Sequence, residues 1–283
     1  MNIHSIAIIG TGTMGCGIAQ VIAQAGIEIL LHDENPAALA RGLDTIAKRL
    51  RQQIEKGRLT AADGKAAIAA AQGVGQLAEI GDADMVIEVV PERLELKLAV
   101  FAQLDQHARP EAILASNTSG LDVGALAAET GRPDKVIGMH FFNPPPIMPL
   151  VEVVRASATS DQTFATIMDL AIKLDKMPIP VANSPGFVVN RILFPMINEA
   201  IYALAEGVAS AEDIDRALVL GASHPLGPLA LADFVGLDVT LDILTSYEAR
   251  FADAKYRACP LLREMVARGE LGRKTGKGFF CYA

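Results

Sequence analysis

The sequence predicts an α/β fold with a doubly wound, mostly parallel sheet, followed by an all-helical C-terminal domain. An isoleucine-rich run at residues 3–9 ends in closely spaced glycines, and further short apolar runs then alternate with helical patterns, as in such a sheet. After Pro185 only helical periodicity follows. We therefore predict one domain over residues 1–183 and a second over residues 184–283.

The elements of the first domain follow in a regular order. After the first strand, residues 14–25 have helical spacing, and Gly26 ends that helix. Asn35 and Pro36 are typical of an N-cap and a first helical position, so they open a helix that runs to Lys56. The remaining strands are predicted at residues 28–32, 84–90, 112–115, 136–142 and 150–154, and a helix at residues 93–107.

The second domain is predicted as four helices, over residues 187–206, 211–220, 229–247 and 260–268. Ser210 and Asp213 fit a capping box at the start of the second helix. Gly221 and Gly269 fit the ends of the second and fourth helices.

Charge and composition restrict the class of function. The chain has 25 basic and 33 acidic residues, a net charge of −8, which argues against nucleic acid as a partner. Cys16, Cys259 and Cys281 form no CxxC pair, so we expect a reducing, cytoplasmic location with neither disulfides nor bound metal. Residues 1–27 carry no charged side chain, but glycines interrupt them and no basic region precedes them. We therefore predict neither an export signal nor a membrane span.

The glycines after the first strand have the GxGxxG spacing of a dinucleotide-binding loop, GTGTMG. Gly10 permits the tight turn, Gly12 lets a pyrophosphate approach the backbone, and Gly15 lets the helix pack closely on the strand. Thr13 and Met14 lie in the same loop. A glycine-rich turn without a ligand is the alternative, but the strand before it and the helix after it favour a Rossmann-type cofactor site.

Asp33 ends the next strand, where an acidic side chain accepts hydrogen bonds from the adenosine ribose. Its charge also repels a 2′-phosphate. The sequence therefore predicts NAD rather than NADP as the cofactor.

A second site is indicated by the segment MHFFNPPPIMPLVEVV, residues 139–154. Glu152 lies within an apolar strand, where an unpaired carboxylate is unfavourable. His140 lies on the strand before it, and a short proline-rich turn joins the two. We predict that the carboxylate orients the imidazole for general acid/base catalysis. The alternative is a hydrogen-bonded core histidine without a catalytic role.

Four segments together resemble the L-3-hydroxyacyl-CoA dehydrogenases, and most closely their bacterial 3-hydroxybutyryl-CoA-specific members. The resemblance covers essentially the whole chain. The segments are SNTSG at residues 116–120, HFFNP at 140–144, LVEVV at 150–154 and NSPGFVVNR at 183–191.

The resemblance implies roles for particular residues. His140 is the general acid/base and Glu152 orients it, while Ser119 and Asn190 contact the reacting oxygen and the thioester carbonyl of the substrate. From the residues alone, Ser119 also suits a strand-to-loop turn, and Asn190 also suits a bond within its own helical turn. The resemblance further implies that Glu92, Lys97 and Asn117 contact the cofactor. Without it, Glu92 is an N-terminal helix carboxylate and Lys97 a solvated helix residue.

Coenzyme A carries phosphates and needs basic residues nearby. The resemblance implies Lys56 as one contact. The second lysine of that pattern falls on Gln52, which leaves Arg51 or Arg49 as substitutes. A charged solvent face on an amphipathic helix explains the same residues.

The resemblance also implies that the helical domain closes over the acyl-CoA and forms a homodimer. Two other classes remain open at this point. One is a free 3-hydroxyacid dehydrogenase with the same two-domain plan, and the other is a structural, crystallin-like relative.

Overall fold

The computed structural model describes residues 3–282. It divides into two compact units, Met1–Phe187 and Val188–Ala283, the first built around a sheet and the second helical. The predicted boundary at residue 183 lies in the segment between the last strand and the first helix of the second unit.

The first unit contains an eight-stranded sheet, and its order is β3-β2-β1-β4-β5-β6-β7-β8. All neighbouring strands are parallel except β6 and β7. The predicted fold class, a Rossmann-type sheet followed by an all-helical part, is thus confirmed. The strands are β1 Ser5–Ile9, β2 Glu28–His32, β3 Ala71–Gly73, β4 Met85–Glu88, β5 Ile113–Ser116, β6 Val136–Phe141, β7 Leu150–Arg155 and β8 Met177–Ala182.

The inner strands are almost wholly buried, because helices cover both faces of the sheet. One apolar cluster includes Ile6, Ile8 and residues of the helices that follow β1 and β2. A separate cluster on the other face includes Ala7 and Phe101. The alternation of β1 side chains between the two clusters follows from the two-residue period of a strand.

The helices of the first unit are α1 Thr13–Gln24, α2 Pro36–Glu55, α3 Ala61–Ala70, α4 Leu94–His107, α5 Val123–Ala128 and α6 Asp161–Lys173. The predicted cap of α2 is confirmed, since the Asn35 side chain accepts hydrogen bonds from Ala37 and Ala38 and Pro36 is the first helical residue. Helices α3, α5 and α6 and strands β3 and β8 lie outside the predicted elements. Strand β8 forms the end of the sheet order, where its prolines Pro178 and Pro180 can be accommodated.

The second unit has its own apolar core and contains α7 Val189–Ala205, α8 Ala211–Ala222, α9 Pro228–Val235, α10 Leu237–Phe251 and α11 Pro260–Ala267. The predicted single helix over residues 229–247 is wrong, because Gly236 adopts φ = +109° and separates α9 from α10. Gly221 is also wrong as a helix end, since it lies inside α8 and Ser223 ends that helix in a left-handed conformation. Gly269, with φ = +74°, follows the end of α11 as predicted.

One of the two hydrogen bonds of the predicted capping box of α8 is confirmed, the one from the backbone to the N-cap side chain. The Ser210 hydroxyl accepts the backbone N–H of Asp213, while the Asp213 carboxylate accepts from the Ser210 hydroxyl. Among residues 3–282, no helix combines the length and the apolar character that crossing a membrane requires.

The sheet order creates a crevice. Strands β1 and β4 are neighbours, and the chain leaves them towards opposite sides of the sheet, so their carboxyl ends form a topological switch point. The glycine loop follows β1 at this edge. Because β7 is antiparallel to β6, the start of β7 lies at the same edge as the carboxyl end of β6.

Candidate active site

The glycine loop closes tightly around the start of α1. A Cβ atom at Gly15 would lie 1.9 Å from the carbonyl oxygen of Gly10, whereas a Cβ atom at Gly12 would have no heavy atom within 4 Å. Gly12 is also the N-cap of α1 and supplies no side-chain cap. The first turn of α1 therefore presents backbone N–H groups next to open space, and a diphosphate fits such a position.

Asp33 lies directly after β2, beside this loop. One carboxylate oxygen accepts the backbone N–H of Thr11 at 2.9 Å and its hydroxyl at 2.8 Å, and the other accepts the N–H of Asn35 at 3.0 Å. Burial raises the pKa of Asp33, but these hydrogen bonds outweigh it and hold the pKa below its usual value. Asp33 is thus a fixed anion at the position where a ribose would bind.

The loop and Asp33 line a cleft of about 920 Å³. That volume suits a large ligand. Other side chains along the cleft include the basic Arg41 and Arg49 and the apolar Val89, Val90 and Leu96. The donors, the anion and the open space at Gly12 fit a dinucleotide.

His140 and Glu152 are directly paired across β6 and β7. The Nδ1 atom of His140 lies 2.8 Å from Oε2 of Glu152, and the two residues are 6% and 0% exposed. Since an ionised carboxylate only accepts, Nδ1 carries the proton and Nε2 is the nitrogen that can exchange one. The predicted contact between the two side chains is confirmed.

Two aromatic rings enclose the imidazole. The ring of Phe142 lies 4.5 Å from it and that of Phe187 lies 5.8 Å from it, centroid to centroid. Phe187 has φ = +53°, which is strained for a bulky residue. Because Phe187 has this non-helical conformation, α7 begins at Val189, two residues after the predicted start.

A smaller cavity of about 310 Å³ lies at His140. It shares Met14, Val89 and Val90 with the large cleft, so the two adjoin. The structure brings six predicted site residues to this inner cavity, namely Met14, Glu92, Lys97, Asn117, Ser119 and His140.

Hydrogen bonds fix the polar wall of this inner cavity. Asn117 accepts the backbone N–H of Phe141 at 2.8 Å, which ties the loop after β5 to β6. Glu92 accepts the hydroxyl of Thr118 at 2.6 Å, and the N–H and hydroxyl of Ser119 at 2.8 and 3.1 Å. Glu92 is therefore more than a carboxylate near the start of a helix, because it also orients Ser119.

Lys97 is not a solvated helix residue, because its side chain is 1% exposed. Its ammonium group donates to Glu88 at 2.6 Å and to the Val90 carbonyl at 3.2 Å, and it lies 3.4 Å from Glu92. Glu88 was absent from the predicted site. The sequence held a signal for it, since Glu88 stands alone among apolar residues in DMVIEVV just as Glu152 does in LVEVV.

A third cavity, of about 330 Å³, lies along the proline-rich turn. Arg49 lines both this cavity and the cofactor cleft, and Arg58 and Gln52 also line it. Lys56 is the exposed C-cap of α2, and Arg51 is exposed on the same helix.

The turn itself is anchored. The buried Lys176 donates to the carbonyls of Pro145 and Met148 at 2.7 and 3.1 Å. Burial lowers the pKa of this ammonium group.

Asn190 belongs to the second unit. It is the second residue of α7 and is partly buried. The next residue, Arg191, stacks on Phe251 with its guanidinium carbon 4.1 Å from the ring centroid. This contact ties the first turn of α7 to the end of α10.

A dinucleotide cleft at the switch point of a doubly wound sheet, with a buried histidine–glutamate pair in the adjoining cavity, is typical of the NAD-dependent dehydrogenases. The family model described as "3-hydroxyacyl-CoA dehydrogenase, NAD binding domain" matches residues 5–184, and the model of the C-terminal domain of the same family matches residues 186–282. The chain therefore belongs to the 3-hydroxyacyl-CoA dehydrogenase family, and it is an NAD-dependent enzyme.

Individual relatives agree along the whole chain. A protein of Bacillus subtilis named probable 3-hydroxybutyryl-CoA dehydrogenase is 48% identical over 282 residues, covering 100% of this chain and 98% of its own. The 3-hydroxybutyryl-CoA dehydrogenase of Clostridioides difficile is 46% identical, covering 98% and 99%. The crystal structure of (S)-3-hydroxybutyryl-CoA dehydrogenase from Ralstonia eutropha is 48% identical and covers 100% of both chains, with a TM-score of 0.97.

Proposed function

We propose that this enzyme interconverts short-chain (S)-3-hydroxyacyl-CoA and 3-ketoacyl-CoA, with 3-hydroxybutyryl-CoA and acetoacetyl-CoA as the preferred pair. In this proposal His140 is the general acid/base. The supporting observation is the 2.8 Å contact between buried His140 and Glu152 at a cavity that adjoins the cofactor cleft. The names of the similar bacterial proteins support the short acyl chain.

His140 moves the proton in both directions. Its Nε2 atom accepts the proton of the 3-hydroxyl during oxidation and returns it to the 3-keto oxygen during reduction. Glu152 holds Nδ1–H, which keeps Nε2 available and stabilises the imidazolium that forms. Bound NAD supplies the hydride acceptor.

The remaining residues bind and orient. We assign Ser119 to the reacting oxygen and Asn190 to the thioester carbonyl, because both can donate a hydrogen bond to an oxygen that gains charge. Glu92, Asn117 and Lys97 form the cofactor side of the inner cavity. Asp33 accepts from the ribose hydroxyls, and its negative charge disfavours NADP.

Coenzyme A requires positive charge, although the chain as a whole carries −8. Arg49 and Arg58, which line the third cavity, are candidates for its phosphates, together with Lys56 and Arg51 on the same helical segment. We also propose a cytoplasmic homodimer, with the helical unit contributing the subunit interface. Exposed apolar side chains of that unit, such as Leu220 and Phe234, support this assignment.

The direct test is the loss of NADH absorbance on adding acetoacetyl-CoA to the purified protein. We expect rapid loss with NADH and little with NADPH, and a rate that falls as the 3-ketoacyl chain lengthens. Free acetoacetate is the matched control. Activity with free acetoacetate would indicate a 3-hydroxyacid dehydrogenase, and inactivity with every thioester would indicate a structural relative.

A further inference from the structure

Glu88, a fully buried carboxylate, has no part in the chemistry described above. It is the last residue of β4, at the switch point, and is 0% exposed. One of its oxygens accepts from the Lys97 ammonium at 2.6 Å and from the backbone N–H of Val90 at 2.6 Å. The other accepts the Ser116 hydroxyl at 2.7 Å. Glu88 thus contacts two residues that line the inner cavity, Val90 and Lys97, and also Ser116, which directly precedes the lining residue Asn117.

Each contact leads to a residue of the proposed site. Through Lys97, Glu88 acts on Glu92, whose carboxylate lies 3.4 Å from the same ammonium group and accepts from Ser119. Through Ser116, whose hydroxyl accepts the N–H of Thr118 at 3.1 Å, it acts on the loop that carries Asn117 and Ser119. We propose that Glu88 is a positioning residue for cofactor binding and hydride transfer, an inference that rests on the proposed function.

The charges explain why a carboxylate is needed there. The Lys97 ammonium lies between two carboxylates, at 2.6 Å from Glu88 and 3.4 Å from Glu92. If residue 88 loses its charge, the ammonium moves towards Glu92, since a buried cation requires an anionic neighbour. Glu92 then loosens its hold on Ser119. The inner cavity changes shape although none of its lining residues is replaced.

The test compares Glu88→Gln, Lys97→Met and the double variant. For Glu88→Gln we expect weaker NADH binding and a kcat/KM lowered by about tenfold to a hundredfold, because a displacement of about 1 Å costs that much. Lys97→Met leaves the buried Glu88 carboxylate without its cation, and Glu88→Gln leaves the Lys97 ammonium with only the more distant Glu92, so both melting temperatures fall. The double variant removes the whole pair and regains most of the melting temperature. It does not regain NADH affinity or kcat/KM.

Asp84→Asn is the matched control. Asp84 is also a buried carboxylate, directly before β4, but it bonds to the N–H groups of His4 and Ser5 at the opposite edge of the sheet. We expect a lower melting temperature with unchanged NADH affinity and kcat.

A double variant with wild-type kcat/KM would overturn the inference, since it would reduce the Glu88–Lys97 pair to a stabilising contact. Wild-type NADH affinity and kcat/KM in Glu88→Gln would overturn it as well. If Glu88→Gln does not fold, Ser116→Ala decides, because it removes the other side-chain contact of Glu88 and leaves Lys97 in place; wild-type NADH affinity and kcat/KM in Ser116→Ala would then overturn the inference. NADH affinity is measured without acyl-CoA, so a failure of the proposed function, seen as wild-type inactivity, stays distinguishable from a failure of this inference.

Discussion

The Glu152 carboxylate orients the imidazole of His140. Its Oε2 atom lies 2.8 Å from Nδ1, which holds the ring in one orientation. For Glu152→Gln we expect kcat for acetoacetyl-CoA reduction to fall, by less than on removing His140, because the amide orients the ring less well.

Steady-state kcat of the wild type, His140→Ala and Glu152→Gln measures the effect. Glu95→Gln, an exposed carboxylate in the first turn of α4, is the control and should keep the wild-type kcat. A wild-type kcat in Glu152→Gln would mean that the carboxylate does not orient the imidazole during catalysis.

At this scale the sequence predicted one buried carboxylate and missed the other. Glu152 was recognisable because His140 lies on the preceding strand across a short turn. Glu88 has the same apolar neighbours, but its partner Lys97 lies on a helix in the run ERLELK. From the sequence, any charged residue of this run could be exposed to solvent. Which one is buried depends on how α4 packs on the sheet.

Among the elements, β4 is preceded by a carboxylate, Asp84, that stabilises the fold at neutral pH and not in acid. Burial raises the pKa of Asp84, but hydrogen bonds from His4, Ser5 and Arg109 outweigh it, so the pKa lies below the ordinary value of 3.8. A pKa that is lowered in the folded state stabilises the protein at pH values above the unfolded-state pKa. This stabilisation is lost as the pH falls through the folded-state pKa. For Asp84→Asn we expect reduced stability at neutral pH and a difference from wild type that shrinks below about pH 4.

Urea unfolding from about pH 6 down to about pH 2.5 measures this difference. Asp44→Asn, at an exposed position on α2, should follow the wild-type curve throughout. A stability difference for Asp84→Asn that stays constant across the whole range would contradict the role assigned to the ionised carboxylate.

Element bounds were predictable where local chemistry decides them. Asn35 and Ser210 cap α2 and α8 because their side chains accept N–H groups of the first helical turn, and Pro36 suits the first position of α2 because it has a helical φ and no N–H that needs a partner. Gly221 and Gly236 show the limit. Both occur in helical patterns. Gly221 remains helical, whereas Gly236, at φ = +109°, separates α9 from α10. A glycine permits either outcome, and the tertiary structure decides between them.

For the whole molecule, the sheet explains why distant segments form one site. Gly12 follows β1, Asn117 follows β5 and His140 is the last residue but one of β6, so a parallel sheet brings them to one edge. The sequence predicted a mostly parallel sheet, because strands and helices alternate, and the short connection at residues 143–149 predicted that Glu152 lies beside His140. The shared edge itself follows from the strand order and from the antiparallel pairing of β6 and β7, which were not predicted. The course of the chain through α3, α5 and α6 was not predicted either.

In the proposed mechanism His140 transfers the proton, and the cofactor binds independently of it. The most direct measurement is kcat for acetoacetyl-CoA reduction and Kd for NADH in His140→Ala, with the exposed His107→Ala on α4 as the control. We expect kcat to fall by about a hundredfold to ten-thousandfold, with NADH affinity close to wild type and no change in His107→Ala. A kcat for His140→Ala equal to that of the wild type would mean that His140 does not transfer the proton.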